Sequence, residues 1–167
     1  AELLVEGEAA DTAISVLRQT LGELAIHEPS VRMLSTLLEN KRAFAELCSL
    51  FESQGDLLSR AEPERASVVL LRAVDLADRE LKDPGRAARS FKKIVDLDPS
   101  AENLDRFASL LERAEQHEEE AVVLERLVET AGASPNVDVR SNDDLSLRLA
   151  TAYGKAGQVE RAREQLE

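Results

Sequence analysis

The chain has 167 residues, with 33 acidic and 21 basic side chains and a formal charge of -12, and so disfavours non-specific binding of DNA, RNA or anionic lipid, which demands clustered cations. One Cys and two His exclude an intrachain disulfide framework and a multi-cysteine zinc site, and the two distant histidines, His27 and His117, leave little for metal, so no cofactor is expected. Aromatic residues are 3% of the chain, with no Trp, whereas Leu (26) and Ala (23) dominate; both favour helix.

Apolar residues recur at helical spacing almost throughout, as in Val69, Leu70, Ala73, Val74, Ala77 and Leu81, and in Leu104, Phe107 and Leu111. No stretch alternates with period two for long enough to form a strand. Breaks fall at 27–30, 59–64, 82–85, 98–100, 131–144 and 154–158, which predicts eight to nine helices of about 10 to 20 residues. In chain order the expected units are a partial one at 1–29, a looser one at 30–63, repeats at 64–99 and 100–131, a loop at 132–144 and a shortened repeat at 145–167.

Local chemistry marks several starts. Asp83 ahead of Pro84 offers an acceptor to the free N–H groups of a first turn, and Pro84 sits where its missing donor costs nothing. Ser100 follows Pro99 at another start, and Ser141 stands three residues before Asp144, at capping-box spacing. A shift of 34 residues carries Leu70 to Leu104, Arg72 to Arg106, Val74 to Ala108, Arg79 to Arg113, Ala87 to Ala121 and Ile94 to Val128. A shift of 42 carries Phe107 to Leu149, Ala108 to Ala150, Leu111 to Tyr153 and Leu124 to Leu166. Such a period means an array of helix pairs.

Leu149, Ala150, Tyr153, Gly157, Ala162 and Leu166 resemble the tetratricopeptide repeat in residue type and spacing. The unit holding Ala87, Phe91 and Pro99 looks like a variant common in bacterial repeat arrays, and the unit at 30–63 keeps Pro29, Leu34, Leu38 and Ala43. The family's large aromatic early in the first helix is absent from every unit. The resemblance implies an all-α fold, an α-solenoid of stacked antiparallel helix pairs in a right-handed superhelix, within one array over 1–167. It also implies a non-catalytic protein-interaction module in a larger scaffold protein, whose concave groove docks another protein or peptide; a structural spacer or self-association module is the alternative.

No nucleotide-binding, metalloprotease or hydrolase motif is present. Cys48, between Leu47 and Leu50, reads as a small buried hydrophobe. His27, beside Glu28 and Pro29, reads as an imidazole near the last carbonyls of a helix. His117, Glu118, Glu119 and Glu120 read as a solvated helix start, with Glu115 ahead of them, rather than a calcium site. Phe44, Phe51, Phe91, Phe107 and Tyr153 are expected in the core.

In three units the first helix carries cations seven residues apart: Arg72 and Arg79, Arg106 and Arg113, Arg148 and Lys155. Two helical turns place each pair on one face. With Ser109 and Thr151, and with Asp75, Asp78 and Glu112 tuning selectivity, these eight residues are the candidate partner-binding site, for an acidic segment or a C-terminal carboxylate. The competing expectation is local pairing, as of Asp75 with Arg79 or Glu102 with Arg106. Catalytic, metal and cofactor sites are not expected, nor nucleic acid or direct membrane insertion, whereas a homo-oligomer fits. The loop at 132–144 is a secondary site candidate. The start at Ala1, with Met33 the only Met, and the stop inside what should be a second helix suggest a piece of a longer or processed chain. Its expected address is cytoplasmic, or periplasmic if a leader has been removed.

Overall fold

A computed structural model describes residues 2–133 and 142–165, and side chains over 9–130 and 144–165. The described residues form nine helices and no strand. The chain divides into two compact units, 1–81 and 82–167. The division falls between Leu81 and Lys82, inside the predicted repeat 64–99.

The first unit holds α1 (Glu2–Glu23), α2 (Glu28–Asn40), α3 (Phe44–Leu58) and α4 (Pro63–Asp75), the last continued by a π-helical turn over Leu76–Glu80. Short turns make consecutive helices antiparallel neighbours, and each packs on the next. Its core is Leu34 and Leu38 from α2, Leu47, Cys48, Phe51 and Leu58 from α3, and Ala66, Leu70, Ala73 and Val74 from α4. The α3–α4 approach depends on Gly55, because a Cβ there would lie 2.5 Å from Leu70 Cγ. Buried Gln54 reaches back to the turn after α1, donating from Nε2 to the Ala25 carbonyl at 3.1 Å.

The second unit holds α5 (Pro84–Leu97), α6 (Ala101–Arg113), α7 (His117–Ala133), α8 (Asn142–Lys155) and α9 (Val159–Glu164), again packed in succession. Asp83 caps α5, its Oδ1 accepting from the Arg86 N–H at 2.8 Å. Ser100 precedes α6 without capping it through its side chain; its hydroxyl donates to Asp98 instead. Phe91 stacks on Phe107 with ring centroids 6.4 Å apart, and buried Ala108 and Ala150 hold the small positions. Phe51, Phe91, Phe107 and Tyr153 are buried, while Phe44 is half-buried. Helix α7 runs through Ala133 and α8 begins at Asn142, so both enter the predicted loop 132–144. Residues 134–141, including Ser141 of the capping box, and Leu166 with Glu167 lie outside the described residues.

Four of the turns that follow helices hold a residue at positive φ. Arg42, Lys82, Glu115 and Gly157 all adopt positive φ, at 53°, 53°, 57° and 79°. At three of them the following N–H closes a bond to the carbonyl five residues back: Ala43 to Leu38, Gln116 to Leu111 and Gln158 to Tyr153, at 2.8 to 2.9 Å. This is the Schellman closure of a helix C-terminus, which satisfies carbonyls that the ending helix leaves open.

Burial corrects the 34-residue shift. It holds for Leu70 and Leu104, Ala73 and Phe107, Val74 and Ala108, and Ala77 and Leu111, all buried. Beyond these the period is 33, pairing Lys82 with Glu115 by backbone, and Ala88 with Ala121, Phe91 with Leu124 and Ile94 with Leu127 by burial. Val128, the expected partner of Ile94, is exposed. The change falls within Leu76–Glu80, where the π-helical turn absorbs one residue, with the Leu81 N–H bonded to the Leu76 carbonyl five residues back; single π turns act in this way inside helices. The expected equivalences of Ala87 with Ala121 and Ile94 with Val128 therefore do not hold, and Arg79 lies where its equivalence with Arg113 is lost.

Candidate partner-binding surface

Several ion pairs join helices two apart in the chain. In the first unit Arg18 of α1 pairs with Glu46 of α3, and Arg65 of α4 with Glu28 of α2 at 3.6 Å. In the second, Lys92 of α5 pairs with Glu119 of α7, and Arg161 of α9 with Glu125 of α7 at 3.8 Å. The Glu119 carboxylate holds the Lys92 ammonium above its ordinary range, by hydrogen bond and by charge.

The candidate cations fall into distinct settings. Arg148 is 13% exposed and pairs through Nη1 with Asp105 of α6 at 2.6 Å, while Nη2 donates to Ser109 Oγ at 3.4 Å. Seven residues further along both helices Lys155 meets Glu112 at 3.6 Å. Arg148, Ser109 and Lys155 are therefore brought together as a brace between α6 and α8. Thr151 is exposed, its hydroxyl donating to the Leu147 carbonyl. Arg113 is exposed in the last turn of α6. Arg79 is exposed and lies 3.9 Å from Asp75, the expected local pair.

Arg72 and Arg106 differ from the others. Each guanidinium lies over a buried phenylalanine of the preceding helix, Arg72 over Phe51 at 5.8 Å and Arg106 over Phe91 at 5.1 Å from the ring centroid. Neither forms an ion pair among the described residues; Arg106 meets Phe91 rather than Glu102. Phe51 and Phe91 occupy equivalent places, since a shift of 40 also carries Leu47 to Ala87 and Cys48 to Ala88, all buried. At the period of 34 that relates Arg72 to Arg106, Arg106 corresponds by the shift of 42 to Arg148, which turns to Asp105 instead. The aromatic beneath each arginine was missed by sequence reading, because the Phe-to-Phe shift differs from the Arg-to-Arg shift.

Around Arg72 the first unit forms a groove of 420 Å³, walled by α2 and α4 and floored by Phe51, Gln54 and Leu58 of α3. Arg32, Arg65 and Arg72 line it with Val31, Val68 and Val69, against two acids, Glu28 and Glu39. Ile26 and Val68 are exposed at its rim. Glu28 is engaged by Arg32 at 3.0 Å as well as by Arg65, and the Glu62 carboxylate, by hydrogen bond first and charge second, holds the Arg65 guanidinium above its ordinary range.

The remaining candidates are structural. The Cys48 thiol is buried and donates to the Ala73 carbonyl at 3.4 Å. His27 stands ahead of α2 rather than at the close of a helix, its Nδ1 2.7 Å from Ser30 Oγ. Glu120 is buried against His117 Nδ1 at 2.9 Å, which corrects the expectation that the whole acidic run is solvated. Among the described residues no cluster of three His, Cys, Asp or Glu could hold a metal ion, and no helix is long and apolar enough to cross a membrane.

No protein-family model matches the chain, and no curated protein matches it. Among solved structures the chain is similar to a crystal structure of MamA protein, at 10% identity and a TM-score of 0.48, over 99% of this chain and 82% of that one. A second MamA crystal structure gives 20% identity and 0.46, over 79% and 70%. BtubC (BKLC) from P. vanneervenii gives 12% and 0.44, over 95% and 85%.

Proposed function

We propose that the chain is a non-catalytic protein-interaction module of a larger scaffold, docking a partner protein or peptide on the faces of its first helices. The observation that carries this reading is the state of Arg72 and Arg106. Each lies over an aromatic ring and has no carboxylate partner among the described residues. An arginine so placed loses little freedom on binding, and its planar fork matches carboxylate. The groove beside Arg72 adds apolar surface for a partner's side chains. Arg79, Arg113, Arg148, Ser109, Thr151 and Lys155 belong to the proposed surface more weakly, because Arg148, Ser109 and Lys155 already brace α8 to α6. An acidic segment of the partner fits this chemistry, and the tetratricopeptide resemblance supports it.

The test is cross-linking and quantitative capture of the native partner by the chain and by Arg72→Glu with Arg106→Glu, with thermal melts confirming that the variant folds. Loss of capture at low salt supports the reading; unchanged capture overturns it. Self-association is the second reading, favoured by Leu24, Ile26 and Met33, each at least half exposed near the start of α2. Light scattering of the chain and of Leu24→Ser with Met33→Ser decides it: a concentration-dependent mass lost in the variant supports it, and a monomer throughout rejects it.

A further inference from the structure

We propose that the groove of the first unit selects an extended segment with two carboxylate side chains three residues apart, enclosing an aliphatic residue, and that Phe51 is the positioning residue for its main receptor, Arg72. This rests on the reading of the chain as a protein-interaction module and names the ligand of one site. Arg65 and Arg72 both line the groove from α4. Seven residues of helix separate them by about 10 Å, and a segment in the extended polyproline-II conformation, with about three residues per turn and a rise of about 3.1 Å each, carries side chains three residues apart on one face over nearly that distance. Between them stand Val68 and Val69, which suit an aliphatic side chain and not a charged one.

The two receptors are not equal. Arg72 forms no ion pair among the described residues and lies over Phe51, so a ligand carboxylate meets a guanidinium that already rests by a ring and has no carboxylate to give up. Arg65 is engaged by Glu62 and Glu28, but all three side chains are more than a third exposed, and such pairs exchange at little cost. Arg32 and Arg65 are matched by Glu28 and Glu62, whereas Arg72 has no carboxylate partner among the described residues, and this uncompensated guanidinium is the local charge complementarity that an acidic side chain needs. A single C-terminal carboxylate would satisfy one receptor only, so an internal segment is the favoured occupant.

The experiment uses fluorescence anisotropy of the full chain with labelled nine-residue peptides, capped at both ends, whose centre is Glu-Leu-Val-Glu, Gln-Leu-Val-Gln or Glu-Ser-Ser-Glu. A fourth peptide ends on a free C-terminal carboxylate and has Gln in place of both Glu. The expected result is tightest binding of Glu-Leu-Val-Glu, with at least tenfold loss for each other peptide. Arg72→Gln should lose at least tenfold and Phe51→Leu three- to fivefold, while Arg163→Gln, on α9, stays unchanged; melts establish that each variant is folded. Equal binding of the Glu and Gln peptides, or of the parent and Arg72→Gln, overturns the proposal, as does preference for the free C-terminus. Should the peptides fail while Arg72→Glu with Arg106→Glu still abolishes capture of the native partner, the ligand assignment falls and the interaction reading stands.

Discussion

Arg148 of α8 and Asp105 of α6 are joined at 2.6 Å across a gap of 43 residues in sequence, which makes this pair a strut between the first helices of adjacent helix pairs. Its arginine is largely buried, unlike most ion-pairing side chains in the chain. Truncation therefore leaves a partly desolvated carboxylate behind. Arg148→Ala is expected to destabilise the second unit by about 1–2 kcal/mol, discounted for the part-exposed Asp105. A double-mutant cycle with Asp105→Ala, read by urea denaturation, should show a coupling of about 1 kcal/mol; additive effects would mean that the strut carries no net energy.

Gly55 lets α3 pass close to Leu70 of α4. An added methyl would improve helix propensity by about 1 kcal/mol. It would also sit 2.5 Å from Leu70 Cγ, and Leu70 is fully buried with nowhere to retreat. Overpacking of about 1–3 kcal/mol should win, so Gly55→Ala is expected to lower the thermal midpoint. A rise would show that α3 and α4 separate easily.

The left-handed turns give a pair of opposite outcomes. Glu115→Gly relieves a positive φ and should stabilise by about 0.5–1 kcal/mol net of the added chain entropy. Gly157→Ala places a side chain at φ 79° and should cost about 1 kcal/mol. Both are read as shifts in denaturation midpoint, and the same sign for both would refute the shared cap geometry.

Tyr153 is the only tyrosine in a chain without tryptophan, so its ionisation can be followed directly by ultraviolet absorbance. Burial, and then the hydrogen bond it donates to Glu125, raise its pKa above the ordinary value of 10.0. A raised folded-state pKa contributes stability that is whole below the unfolded value of 10.0 and lost as pH climbs through the folded one. Native protein should therefore titrate above the denatured chain, and Tyr153→Phe should flatten the alkaline loss of stability. Coincident titrations in native protein and denaturant would refute the buried contact.

The helix order, the turn positions and the core residues Ala108, Phe107 and Leu111 were legible in sequence, because periodic apolar residues and proline-marked breaks report directly on burial and chain direction. The Asp83 cap was legible for the same local reason. Three features were not. The π-helical turn has neither glycine nor proline to announce it. Arg42, Lys82 and Glu115 carry ordinary side chains at positions where glycine would have signalled a left-handed turn. Burial of Glu120 depends on His117 three residues before it, and a run of acids looks alike whether one member is turned inward or not. The candidate cations were found by spacing, but spacing could not tell Arg72, resting on a ring, from Arg148, tied to a neighbouring helix.

The π-helical turn at Leu76–Glu80 has a consequence for how such a chain can vary. One residue enters the first helix there, yet the buried positions of α5 keep the pattern of α7. An insertion is thus cancelled within a single turn, and what changes is only the compass bearing of the side chains that follow it, Arg79 first among them. Length variation of this kind can re-aim one surface cation while leaving the hydrophobic seam of the next helix untouched.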